Sequence, residues 1–91
     1  MRKQESLVYV IQDLVMDINR LGGCAFVDNQ GHVSSLDITI SESKENWNNY
    51  IWKMNHIYYG EVYPSSIEIF EEAIQVLQKE KERLLNLNET N

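Results

Sequence analysis

The side chains of this chain best suited to bond-making chemistry are one thiol, Cys24, and two imidazoles, His32 and His56. A thiol nucleophile needs a base within hydrogen-bond reach. If Val27 faces Val33 across a turn, Cys24 faces Leu36 and His32 lies at the turn itself, well over about 10 Å from the thiol at the rise of a strand. His56 can approach only through tertiary packing, and a small thiol on an inward strand face is at home as a packing group. Metal chemistry fares no better. One cysteine and two histidines contain none of the short-spaced ligand pairs that zinc sites use. Asp28-Asn29-Gln30-Gly31 lacks the alternating oxygens and terminal glutamate of a calcium loop. Gly22-Gly23 leads into a strand, whereas a phosphate cradle needs a helix N-terminus. The expectation is a protein without catalytic residues, metal or cofactor.

Recognition chemistry has better candidates. Asp13 and Asp17 lie four apart on one predicted helix, as do Glu68 and Glu72 on another, and each couple repels by roughly a few tenths of a kcal/mol. Glu68, Glu71 and Glu72 have a structural account, because carboxylates in the first turns of a helix complement its positive end. Asp13 and Asp17 sit mid-helix without it, although Arg20 follows Asp17 by three residues. These pairs are either solvated surface or contacts for a basic partner. Trp52 and Tyr59, seven apart, stand on the far side of a predicted helix from Trp47, Ile51, Met54 and Tyr58. They are either core of a helix buried on both sides or, with Tyr63, anchors at an interface, where indole and phenol groups dominate binding energy. Leu84, Leu85 and Leu87 end the chain's last helix. They self-associate, fold back on the first helix, or fray.

The elements that must position these groups follow from periodicity. Leu7, Ile11, Leu14, Val15 and Ile18 recur on one helical face, giving a helix over about 4–21 that Gly22-Gly23 stops. Cys24–Val27 and Val33–Ile40 flank Asp28-Asn29-Gln30-Gly31, a turn sequence, so a β-hairpin is expected over about 24–40. Its alternation places Cys24, Phe26, Leu36, Ile38 and Ile40 on one face. Trp47, Tyr50, Ile51, Met54, Ile57 and Tyr58 recur at three- and four-residue intervals, which predicts a second helix over about 44–59. Ser65 with Glu68 reads as a capping box that opens the last helix, about 65–88. At 1.5 Å per residue that helix exceeds the roughly 30 Å diameter of a compact domain this size, so its last turns should overhang. The fold class expected is α+β, one domain over 1–91 in the order α-β-β-α-α, a two-stranded antiparallel hairpin packed with three helices.

Ninety-one residues support one modest core, and 43% hydrophobic with 24% charged residues excludes wholesale disorder. Fourteen Asp plus Glu against eight Lys plus Arg leave a net charge of −6, which disfavours direct binding to nucleic acid or an anionic membrane. The natural electrostatic partner is a protein with a basic surface. Met1-Arg2-Lys3 leads into residues punctuated by Gln12, Asp13 and Asp17, unlike a signal peptide, and the lone cysteine forms no internal disulfide, so cytoplasmic residence is expected. In size and charge alone, the chain is similar to bacterial immunity proteins and phage-encoded inhibitors; no residue carries over. The functional expectation is a small acidic, non-enzymatic module that occludes a basic, nucleic-acid-binding type of surface on another protein through Trp52, Tyr59, Tyr63 and the paired carboxylates. The alternative is a homo-oligomeric structural or adaptor subunit, a homodimer through the C-terminal helix.

Overall fold

The structure, a computed structural model, describes residues 3–89. Helix α1 spans Lys3–Arg20 and buries Ile11, Leu14, Val15 and Ile18 of the stripe read from the sequence, with Val8 in place of the partly buried Leu7. Its end is fixed by Gly22, whose φ of +94° is a conformation that side chains disfavour. With the chain so turned, the Gly22 and Gly23 N–H groups donate back to the carbonyls of Asn19 and Ile18, satisfying acceptors that a helix end leaves open.

Three strands follow: β1 (Ala25–Gln30), β2 (Ser35–Ser41) and β3 (Tyr50–Tyr58). They form one antiparallel sheet in the order β1-β2-β3. Helix α2 (Ile67–Glu89) closes the fold, so the order is α-β-β-β-α. The architecture is α+β as expected, but the expected hairpin has gained a third strand and the expected helix over 44–59 does not form. That segment is a loop followed by β3. Its physical reason lies in composition: six of the ten residues from Tyr50 to Tyr59 are β-branched or aromatic, types that fit a pleated surface better than a helix.

The hairpin register also differs. Val27 pairs with Ile38, and Ala25 with Ile40, because a short 3-10 turn at Gly31–Val33 and a left-handed Ser34 lengthen the connection. The shift is an odd number of residues, so it turns β1 over. Ala25 and Val27, not Phe26, join Leu36, Ile38 and Ile40 on the core face; Phe26 points to solvent. Cys24 is a free, buried thiol just before β1.

Both helices cover the same sheet face and run parallel to each other. Gln4 Nε2 donates to the Ser65 carbonyl at one end, and Lys81 Nζ reaches Asp17 at 3.0 Å near the other. Between these ties, Phe70, Ala73 and Leu77 of α2 meet Ile11, Leu14 and Ile18 of α1 over Leu36, Ile38 and Ile57 of the sheet, in one core. Ser65 does not cap α2. Its hydroxyl accepts the Tyr58 N–H at 2.9 Å and its own N–H donates to the Tyr58 carbonyl at 2.8 Å, extending the β3 edge by one residue. Among the described residues no helix is long and apolar enough to cross a membrane.

Candidate protein-interaction face

The helices cover one face of the sheet and leave the other bare. Successive strand residues point to opposite faces, and directly paired residues share one. The bare face therefore carries Phe26, Asp28 and Gln30 from β1, Ser35, Asp37, Thr39 and Ser41 from β2, and Tyr50, Lys53 and Tyr58 from β3. Two irregularities in β3 enlarge this set. Between Ile40 and Ser41, and again between Leu36 and Ile38, the pairing slips by one residue, so β3 holds an extra residue at each place. A bulge of this kind turns two neighbouring side chains the same way. Ile51 accordingly joins Tyr50, and His56, at a φ of +59°, stands where Asp37 can bind its backbone. That N–H donates to Asp37 Oδ1 at 2.8 Å.

The result is a band of exposed rings along β3 with Phe26 two strands away. Phe26 is 45%, Tyr50 49%, Ile51 59% and Tyr58 41% exposed, while an antiparallel sheet facing water ordinarily shows it small polar residues. Trp47, 57% exposed, stands in the loop that leads into β3, held by the Ser41 hydroxyl donating to its carbonyl at 2.6 Å. Lys53 Nζ lies 5.2 Å from the Tyr50 ring centroid, and the His56 and Tyr58 rings stack with centroids 6.4 Å apart. Asp28 and Asp37 face each other across β1 and β2. Gln30 Nε2 donates to both, and Ser35 Oγ donates to Gln30 Oε1, so a neutral amide bridges the two carboxylates. Glu42 accepts from the Asn49 side chain at the foot of the Trp47 loop. The face thus carries its apolar side chains on the two outer strands, Phe26 on β1 and Tyr50, Ile51 and Tyr58 on β3, with the Asp28–Asp37 pair between them and Lys53 its one cation among the described residues.

Where the band runs past Tyr58, the 3-10 turn and the 60–63 loop enclose a cleft of about 480 Å³ lined by His32, Val33, Ser34, Tyr58, Gly60, Glu61, Val62 and Tyr63. Gly60 permits it: a Cβ there would stand 3.0 Å from the Ser34 Cβ.

The structure separates the residues singled out from sequence. Tyr63, 85% exposed, belongs to the cleft. Trp52 lies on the helix-covered side, opposite Ile40 and partly buried against the core. Tyr59 is also partly buried, its hydroxyl donating to Asn29 Oδ1 at 2.6 Å. Asp17 takes Lys81 and Arg20 as ion partners and so ties α1 to α2. Asp13, Glu68 and Glu72 are exposed on the helix layer, away from the bare sheet face. Leu84 is buried against the core and touches the space at Gly23, while Leu85 and Leu87 are exposed beyond it. On the same helix Arg83 donates twice to Glu80, at 2.7 and 2.8 Å, and this pairing holds the guanidinium above its ordinary range.

Phe26 is expected on the hairpin face of Leu36, Ile38 and Ile40, and Trp47, Tyr50, Ile51 and Tyr58 on one face of a helix. The β1 register turns Phe26 out, the bulged alternation of β3 exposes Tyr50, Ile51 and Tyr58, and Trp47 is exposed in a loop. Among the described residues no three Cys, His, Asp or Glu side chains stand together as a metal site. No family model, no curated protein and no solved structure matches this chain.

Proposed function

We propose that this protein is a non-enzymatic binding module that covers a basic surface of another protein with the bare face of its sheet. The observation that carries the reading is the exposure of Phe26, Tyr50, Ile51 and Tyr58 on one uncovered face. The three rings combine large contact area with few rotors, and with Ile51 they supply the apolar anchors from which binding hot spots are built. The partner's sign follows from the net charge of −6 and from the carboxylates Asp28 and Asp37 between the ring-bearing outer strands, with Glu42 beside the Trp47 loop. Such a partner is steered in by long-range attraction and held by desolvated rings. Covering a cationic groove in this way inhibits whatever polyanion the groove normally binds.

The test compares capture from cells that make the protein, using wild type, Tyr50→Ala, Trp47→Ala and, on the helix layer, Tyr9→Ala. One prey should be lost with the first two substitutions, kept with the third, and associate more slowly as salt rises. A prey lost only with Tyr9→Ala, or indifferent to salt, contradicts the reading. A particle twice the chain's mass that reverts to monomer with Tyr50→Ala assigns the face to self-association instead.

A further inference from the structure

The cleft at the end of the ring band has a more specific chemistry than the band itself. Its floor is the close approach of Gly60 to Ser34, and Ser34 holds a left-handed φ of 52°, a conformation uncommon for a residue with a side chain. Tyr58 and Tyr63 supply two phenol rings, Val33 and Val62 apolar flanks, and Glu61 a carboxylate. Among the described residues Glu61 has no ion-pair partner. Two rings, a low-polarity wall and one unneutralised carboxylate suit an organic cation, because ring faces attract positive charge and a carboxylate fixes it. A planar guanidinium fits this set better than an ammonium: it stacks on a phenol ring and presents a fork of N–H donors to a carboxylate. An anionic or purely apolar guest leaves Glu61 uncompensated.

We infer that the cleft receives the guanidinium of an arginine projecting from the partner's basic surface. The inference rests on the proposed sheet-face reading and extends it, since Tyr58 belongs both to the band and to the cleft. Docking the band on a basic protein brings the cleft over that protein's surface, where arginine is the residue that such a slot selects.

Capped Ala-Arg-Ala tripeptide, its lysine counterpart and N-acetyl-arginine amide are titrated into the ¹⁵N-labelled protein while backbone amide shifts are followed. Two weak cation–ring contacts and one charge-assisted fork correspond to a dissociation constant on the order of 1–10 mM for the arginine tripeptide. Saturable shifts are expected at residues 58–63 and 32–34, with roughly tenfold weaker binding for Glu61→Gln and roughly two- to fivefold weaker binding for Tyr63→Ala. Both variants alter exposed side chains, and retained dispersion of their spectra shows that they fold. No saturable shift at these residues overturns the inference, as does equal binding of the lysine tripeptide. Tighter binding of N-acetyl-arginine amide than of the tripeptide assigns the cleft to a small-molecule guanidinium and overturns the partner-side-chain form. The two readings fail separately: a prey still lost with Tyr50→Ala while arginine leaves the cleft unperturbed defeats this inference alone. Arginine binding with no Tyr50-dependent prey defeats the sheet-face reading.

Discussion

Asn19 is the side chain through which the end of α1 fixes the edge of β1. Its Nδ2 donates to the Ala25 carbonyl, and its Oδ1 accepts the Ala25 N–H, both at 2.9 Å. Ala25 is 2% exposed, so water has little access to either group once the amide is removed. In Asn19→Ala a buried donor and a buried acceptor lose their partners, and each costs about 1–3 kcal/mol. Alanine's better helix propensity returns about 0.5 kcal/mol. The net loss is therefore about 1.5–5.5 kcal/mol, a large share of the 5–15 kcal/mol typical of a whole domain. Urea unfolding followed by tryptophan fluorescence reads it directly: at a slope near 1 kcal/mol/M the midpoint should fall by about 1.5 M or more. Asp13→Ala, an exposed site on the same helix, is the control for propensity and should raise the midpoint by only about 0.5 M. The Ala25 amide should also lose its hydrogen-exchange protection in Asn19→Ala. Equal midpoints for Asn19→Ala and Asp13→Ala, with the Ala25 amide still protected, would refute the clamp.

Other substitutions probe different parts of the account. Gly23→Ala places a Cβ 2.7 Å from both Ile18 Cγ2 and Leu84 Cδ1 and 3.1 Å from the Ile18 carbonyl, so unfolding should become easier by roughly 1–3 kcal/mol in the same urea assay. Ser34→Gly removes a side chain from a left-handed position and should raise the thermal midpoint, the relief being partly offset by the looser unfolded chain. Ile38→Ala empties a fully buried site in the middle strand and should cost about 2–5 kcal/mol. Phe26→Ser, on the bare face of the neighbouring strand, should move stability by no more than about 0.5 kcal/mol. Calorimetry that ranks those two the other way reverses the assignment of the sheet's faces.

The helices were legible from sequence because their stripes are simple. Val8, Ile11, Leu14, Val15 and Ile18 keep helical spacing without interruption, and Gly22 stops α1 where a positive φ is needed. β3 was not legible by period. Its inward residues are Trp52, Met54 and Ile57, spaced by two and then three, since the bulge opposite Asp37 inserts one residue. With Tyr50 and Ile51 both exposed at the other bulge, the apolar positions imitate a helical repeat. β-branched and aromatic content was the better signal there. The β1 register failed for a related reason. A turn closed by a left-handed Ser34 cannot be told from a four-residue turn by composition, and the odd shift exchanged the faces of Phe26 and Val27. Both misreadings moved rings from the solvent face into the core, so the candidate interaction face came to light only with the sheet. Tyr63 needed no such correction, since it follows the last strand in an exposed connector.

The central claim is that a partner protein lies against the bare sheet face. A photoreactive phenylalanine analogue at position 50, compared with the same analogue at position 9 on the helix layer, tests it in cells that make the protein. A covalent adduct with one basic protein is expected from position 50 and none from position 9. An adduct from position 9 alone, or a position-50 adduct containing only a second copy of this chain, contradicts it.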